Sequence, residues 1–296
     1  MIVIVLTGAA VRLTGSGLGC PDWPTCFKHQ VIASSGIHSE IEFSNRLVTI
    51  VLVVVVGATF LAALYREPRR RDLLWLSGAL VLGVVANALL GAVVVYSKLN
   101  PYLVSLHLVL SLAMVAVGAL LYHHSKYVYG EKARCDVRDP RMRAIARWLW
   151  LPFGVLVATG TVATGSGPHS GSSQGQLVAK RLPFALSSAT WVHSLAAVLF
   201  IGLVLGLVLA VWHSSAPAAL QLGVRRLVYV SLLQAALGAT QYLTHLPGWL
   251  VELHVAGAVA LTIGLVQFNV RQYARDREPG VRKDAVAPLP HVETLA

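Results

Sequence analysis

Few side chains in this sequence could do chemistry inside an apolar phase, and the most telling of them recur at a constant spacing. His107 ends the stretch Leu90–Leu108, LGAVVVYSKLNPYLVSLHL, and His254 ends Leu237–Val255, LGATQYLTHLPGWLVELHV. Each stretch opens Leu-Gly-Ala, turns at a proline and reaches its histidine at the same distance from its glycine, Gly91 to His107 and Gly238 to His254. An internal repeat outranks other signals, because missing one misreads the fold. His193, Glu42, Arg46 and Glu252 complete the ionisable groups that fall within apolar runs away from helix ends. Such groups are costly in a membrane and default to functional candidates. The three histidines lie about three to five residues inside one end of their helices, roughly 5–8 Å deep at 1.5 Å per residue. His193 and His254 belong to the same half of the chain at matching depth. Facing imidazoles are what a six-coordinate haem iron takes, and apolar bundle walls suit the macrocycle. Taken singly, each histidine could equally bond a backbone carbonyl. A zinc site would want further Cys, His or carboxylate ligands nearby, and none is evident.

The other half repeats this pattern with one defect. Thr190-Trp191-Val192-His193 corresponds to Glu42-Phe43-Ser44-Asn45, so an asparagine stands where a histidine is expected. A haem there would be held from one side, through His107. An open axial position suits oxygen or water chemistry, whereas two strong ligands favour electron transfer. Glu42, one turn before Asn45, shares its face and could relay protons or orient a water. An ion pair with Arg46 at i,i+4 spacing, or stabilisation of a helix N-terminus, would also account for it. Glu252 reads as a rim carboxylate.

These residues need helices to carry them. The 296 residues are 56% hydrophobic and 12% charged, with mean hydropathy +0.67. That excludes an ordinary soluble domain and places the chain among polytopic membrane proteins. Helices are expected over about 42–65, 73–96, 102–123, 148–164, 190–212, 224–243 and 249–270. Met1–Val11 covers about half of the roughly 20 residues a spanning helix needs. Its counterpart at 148–164 is complete and shares its Thr-Gly (Thr7-Gly8, Thr159-Gly160), so the first helix is expected to be truncated. The expected fold is an all-α integral membrane protein, eight transmembrane helices in two pseudo-symmetric four-helix bundles. Residues 1–124 form the N-terminal half, 125–147 a basic connector, 148–270 the C-terminal half and 271–296 a polar tail.

The net charge of +11 could suggest nucleic acid, but its distribution answers better to membrane topology. Arg66–Arg71, Lys126–Arg147, Arg225-Arg226 and Arg271–Lys283 all fall on one side, against Arg12, Lys28, Arg46, Lys98, Lys180 and Arg181 on the other. The richer side is cytoplasmic, with both termini. Cys20 and Cys26 then lie outside, where a disulfide persists, and Cys135 in the reducing cytosol. A Cys20–Cys26 bridge is favoured; two zinc ligands or two free thiols stay open at this point.

The segments Arg12-Leu-Thr-Gly-Ser-Gly-Leu-Gly-Cys-Pro-Asp-Trp-Pro, Glu42-Phe-Ser-Asn-Arg46, Gly91–His107, Gly165-Ser-Gly-Pro-His-Ser-Gly171 and Gly238–His254 together resemble the heme A synthase family. The resemblance runs in order from about Thr7 to Val270, and the first motif is highly specific. It implies an oxidoreductase of the cell membrane that converts a ring methyl of heme O to the formyl group of heme A, supplying terminal oxidases. It implies a b-type haem on His193 and His254, and a substrate site formed by Glu42, position 45 and His107. It implies also that the family's external cysteine pair is Cys20 and Cys26. Two hydroxylations of the methyl would give a geminal diol that loses water, with His107 anchoring the substrate iron and Glu42 handling protons. Arg12, Arg46, Lys98 and Arg181 are candidates to meet haem propionates. Heme O, the heme O synthase (protohaem farnesyltransferase) that makes it and an electron donor are candidate partners. Self-association is open, membrane lipid surrounds the chain, and nucleic acid is not expected. Asn45 departs from the family pattern and resembles a Glu-Phe-x-Asn-Arg variant of actinobacterial type, which is not read as loss of activity. A b-type cytochrome passing electrons between quinol and a partner is the alternative, and Asn45 argues against it. A carrier ranks last, although parallel repeats also build carriers.

Overall fold

Long runs of Val, Leu, Ala and Ile become helices here because, in lipid, each backbone N–H and C=O must be satisfied within its own segment. The computed structural model describes residues 1–27, 36–128, 140–172, 178–214, 216, 218–272 and 276–277. Among these residues the helices are α1 Ile2–Leu13, α2 Ile37–Tyr65, α3 Arg71–Tyr96, α4 Pro101–Lys126, α5 Pro140–Trp148, α6 Trp150–Ser166, α7 Leu186–Trp212, α8 Ala218–Leu243 and α9 Gly248–Val270. A two-residue antiparallel ladder pairs β1 Tyr127–Val128 with β2 Asp276–Arg277. Seven helical segments are long and apolar enough to cross a membrane, and α1 is a shorter apolar helix. The chain is a multi-pass helical membrane protein. Its outward faces carry exposed Ile50, Val54, Leu82 and Val198, as lipid-facing helices do.

Two boundaries differ from expectation. Helix α2 starts at Ile37, so Glu42 sits inside its second turn and not at its N-terminus. The connector is helical from Pro140, and α5 leads into α6 at Leu149. Met142, Ala146 and Leu149 fall on one helical stripe and are buried in a cluster with Phe153, Phe200 and Leu207, which draws this charged segment onto the bundle. The rest of the connector, Cys135 and most of the tail lie outside the described residues.

The packing of α1 to α4 is matched by that of α6 to α9. Helix α1 packs on α2, α2 on α3 and α3 on α4, while α6 packs on α7, α7 on α8 and α8 on α9. Across the middle, α4 meets α9, α1 meets α9 and α4 meets α6. Val5, Leu112, Val115 and Val259 form the cluster at that junction.

The turns repeat as well. Lys98-Leu99 before α4 and His245-Leu246 before α9 each place two successive non-glycine residues in the left-handed region, with φ of 54°, 59°, 63° and 61°. Such residues cost free energy unless their surroundings hold them. Leu99 is buried, with its methyl groups against Gly17 and Gly171. There the Gly17 N–H donates to the Gly171 carbonyl at 2.9 Å, and Ser16 bridges Ser172, stitching together the loops that follow α1 and α6. A Cβ on Gly17 would stand 3.0 Å from that carbonyl oxygen, tighter than nearly all such contacts, so glycine eases the approach.

Candidate functional site

His193 on α7 and His254 on α9 face one another, with ring centroids 6.2 Å apart and planes at 79°. With a metal–nitrogen bond of about 2 Å and about 1.1 Å from nitrogen to ring centre, two imidazoles on opposite sides of one ion lie about 6 Å apart. The observed separation therefore admits a metal between the rings. Thr159 Oγ1 lies 3.2 Å from His193 Nδ1, leaving Nε2 available. His254 Nδ1 is buried without a protein partner. Each ring rests on a glycine of the neighbouring helix: a Cβ on Gly160 would stand 3.0 Å from His193 Cε1, and one on Gly238 3.3 Å from His254 Cε1. Gln234 Nε2 donates to the His254 carbonyl at 2.9 Å, tying α8 to α9 at that residue. Among the described residues, no group of three or more His, Cys, Asp and Glu converges on a metal site. A two-imidazole donor set suits an ion whose remaining ligands come from a macrocycle, so these residues fit a haem.

In the other half, His107 on α4 rests on Gly91 much as His254 rests on Gly238, with a Cβ-to-Cε1 approach of 3.4 Å, and its Nδ1 is also buried without a partner. Its carbonyl accepts from Ser111 at 2.8 Å, and Ser111 Oγ accepts from Asn87 Nδ2 at 2.8 Å. Asn87 stands at the repeat position of Gln234, so both histidine carbonyls are tied to an amide on the preceding helix. Asn45 on α2 is bonded to α1: Thr7 Oγ1 donates to its Oδ1 at 2.8 Å. Thr7–Asn45 is thus the counterpart of Thr159–His193. Neither threonine stood out as a site residue in the sequence. The repeated Thr-Gly was visible there only as a marker of matching helices.

Glu42 is buried, and both its oxygens are engaged. Oε1 pairs with Arg46 at 2.7 Å, and Oε2 accepts the Cys20 N–H at 2.8 Å. Arg46 also donates to the carbonyls of Asp22 (2.7 Å), Thr25 (2.9 Å) and Cys20 (3.0 Å). Cys20 and Cys26 are joined by a disulfide with an S–S distance of 1.98 Å. The ion pair expected from spacing is present, and it doubles as the anchor of the disulfide loop one helical turn from Asn45.

Among the candidates to meet propionates, Arg46 is occupied as described. Arg12 is likewise tied to backbone, donating to the carbonyls of His169 at 2.9 Å and Thr164 at 3.0 Å. Lys98 and Arg181 are exposed. Arg181 lines a cavity of about 560 Å³ with Ser166, Tyr242 and His245. Glu252, two residues before His254, is half-buried and keeps one oxygen without a partner.

A family model described as cytochrome oxidase assembly protein matches residues 1–38 and 37–266 of the chain. The chain is similar to the heme A synthase of Geobacillus kaustophilus (strain HTA426), 33% identical over 108 residues, which is 36% of this chain and 33% of that protein. The heme A synthase of Geobacillus thermodenitrificans is 33% identical over 107 residues, covering 36% and 33%. That of Alkalihalophilus pseudofirmus is 30% identical over 122 residues, covering 41% of each chain. The matched regions span from 33% to 41% of these curated relatives' own length.

Proposed function

The chain belongs to the cytochrome oxidase assembly protein family, and from that premise we propose that it is a heme A synthase, oxidising a ring methyl of heme O to the formyl group of heme A. One observation carries this reading. Two halves packed alike hold different residues at one matched position: His193 faces His254, while Asn45 takes the corresponding place in the half that contains His107. A pair of histidines suits a resident b-type haem, and a single histidine suits a substrate haem with one open face. The resident haem supplies one-electron redox capacity that no side chain here has.

The protein's own groups divide the remaining work. His193 and His254 hold the resident haem, and Thr159 orients the first of them. His107 binds the substrate iron, its ring set by Gly91 and its carbonyl by Ser111 and Asn87. Glu42, fixed by Arg46 and the Cys20 amide, holds or moves a proton near the reacting methyl. Two successive hydroxylations, each a two-electron oxidation of the carbon that adds one oxygen atom, give a geminal diol that loses water to leave the aldehyde, and the four electrons removed from the carbon pass to an external oxidant. Lys98 and Arg181 keep their charge available to propionates.

The matched contacts of α1–α4 and α6–α9 support an eight-helix arrangement of two pseudo-symmetric bundles, residues 1–124 and 148–270, with the connector 125–147 and the tail 271–296 beyond them. The asymmetry of Lys and Arg supports a cell-membrane protein with cytoplasmic termini and an external disulfide loop. Heme O, the heme O synthase that makes it and a separate electron donor complete the proposed partners.

The test is expression in a host that makes heme O but no heme A, followed by extraction of membrane haems in acidified organic solvent and chromatography. A heme A peak, with or without a hydroxylated precursor, is expected. Heme B bound with no new product would refute the enzyme and leave a b-type cytochrome.

A further inference from the structure

We infer that Asn45 is a fixed hydrogen-bond donor on the face of the substrate haem opposite His107, and that Thr7 is the positioning residue that fixes it. This rests on reading the first half as the heme O site. The direction of one hydrogen bond carries the argument. Thr7 Oγ1 has two acceptors within reach, Asn45 Oδ1 at 2.8 Å and the Ile4 carbonyl at 3.4 Å. The second is at the limit of a hydrogen bond, so the hydroxyl proton goes to Asn45. The amide oxygen is then occupied by α1, which leaves the NH2 group on the other branch of the amide unused by Thr7. Among the described residues, no acceptor takes those hydrogens.

The second half shows what that position faces. Thr159 Oγ1 stands beside His193 Nδ1 as Thr7 stands beside Asn45 Oδ1, and the far side of His193 is turned to His254. Gly160 lies under His193, and Gly8, at the matching place in α1, lies 4.0 Å from Asn45 Oδ1 when given a Cβ. Asn45 therefore occupies the seat of an imidazole but is a shorter side chain. Its amide nitrogen has no lone pair to offer a metal, while it carries two donor hydrogens. With an iron held by His107, the difference in reach would leave room for a small molecule beside the amide, and an N–H to bond it. Preorganised donors of this kind stabilise charge that develops on a small ligand during reaction.

The experiment uses the full chain loaded with heme O and with its resident haem, reduced, with carbon monoxide as the probe of the open face. Wild type is expected to bind one carbon monoxide for each pair of haems. Its C–O infrared band should move to higher frequency in Asn45→Leu, and likewise in Thr7→Val, because each loses the oriented donor. Thr7→Ser keeps the hydroxyl and should retain the wild-type band. Asn45→His should abolish carbon monoxide binding and add a second low-spin ferric signal. Retention of the first low-spin signal, from His193 and His254, certifies that each variant is folded. Carbon monoxide binding with the same band in wild type, Asn45→Leu and Thr7→Val would overturn the inference while leaving the site reading intact. Failure of wild type to bind carbon monoxide at all would overturn both.

Discussion

Gly160→Ala separates the stability of the helices from the fitness of the haem seat. A methyl group there would stand 3.0 Å from His193 Cε1, where carbon atoms normally rest about 3.5–4.0 Å apart. His193 would have to give by a few tenths of an ångström, a displacement on the scale of the ~0.5 Å within which a ligand constellation must be held. The same withdrawal stretches a 3.2 Å contact to Thr159 that has little to spare. Helix propensity works in the opposite direction, since alanine gains about 1 kcal/mol over glycine in a helix interior. The variant should therefore keep its helices and its thermal midpoint while its haem affinity falls about 10–100-fold, the usual range when a supporting partner of a metal ligand is lost. Haem content per purified protein and the low-spin optical spectrum measure this directly. Gly238→Ala, with an approach of 3.3 Å, should do the same more weakly. Full haem content and an unaltered spectrum in Gly160→Ala would refute the assignment of His193 as a ligand seated on that glycine.

The remaining predictions address the ligands and the acid group. His193→Ala or His254→Ala should each abolish the low-spin b-type spectrum, and a purified variant that keeps it disproves the pair. Glu42→Gln retains a side-chain oxygen for the Cys20 amide but loses its charge. It should keep the low-spin spectrum while conversion of heme O falls by about 100-fold or more, the scale of a positioned proton-transfer group; unchanged turnover would make Glu42 purely structural. Arg46→Ala leaves a buried carboxylate without its partner and should cost about 3–5 kcal/mol, read as a lower thermal midpoint with faster proteolysis of the loop after Cys20. Wild-type behaviour in both measurements would show the pair to be dispensable.

Hydropathy and the repeat exposed the spanning helices and the three histidines, because lipid exposure forces long apolar runs and a duplicated segment keeps its spacing. The partners of those residues were harder to see. Thr159 also bonds the carbonyl of Val155, four residues back, as a helical threonine commonly does, so nothing in its type announces a contact with His193. Arg12 and Arg46 read as candidates to meet haem propionates, yet they donate to carbonyls of loops brought near only by folding. The second anchor of Glu42 is a backbone amide, which no sequence pattern marks. Helix α5 was hidden by its arginines, whose charge masks the short stripe of Met142, Ala146 and Leu149.

Helix α4 packs against α9, its own counterpart in the repeat. Two separate copies of one repeat, assembled as an isologous pair, could make the same contact across a two-fold axis. Such a dimer, however, must carry identical side chains at both of its matched positions, and any change at one is imposed on the other. A single chain is free of that obligation: it can keep histidine at 193 while position 45 is asparagine. Covalent fusion thus opens a division of labour that symmetry forbids; under the proposed function, one seat is specialised to retain its occupant and the other to receive and release one.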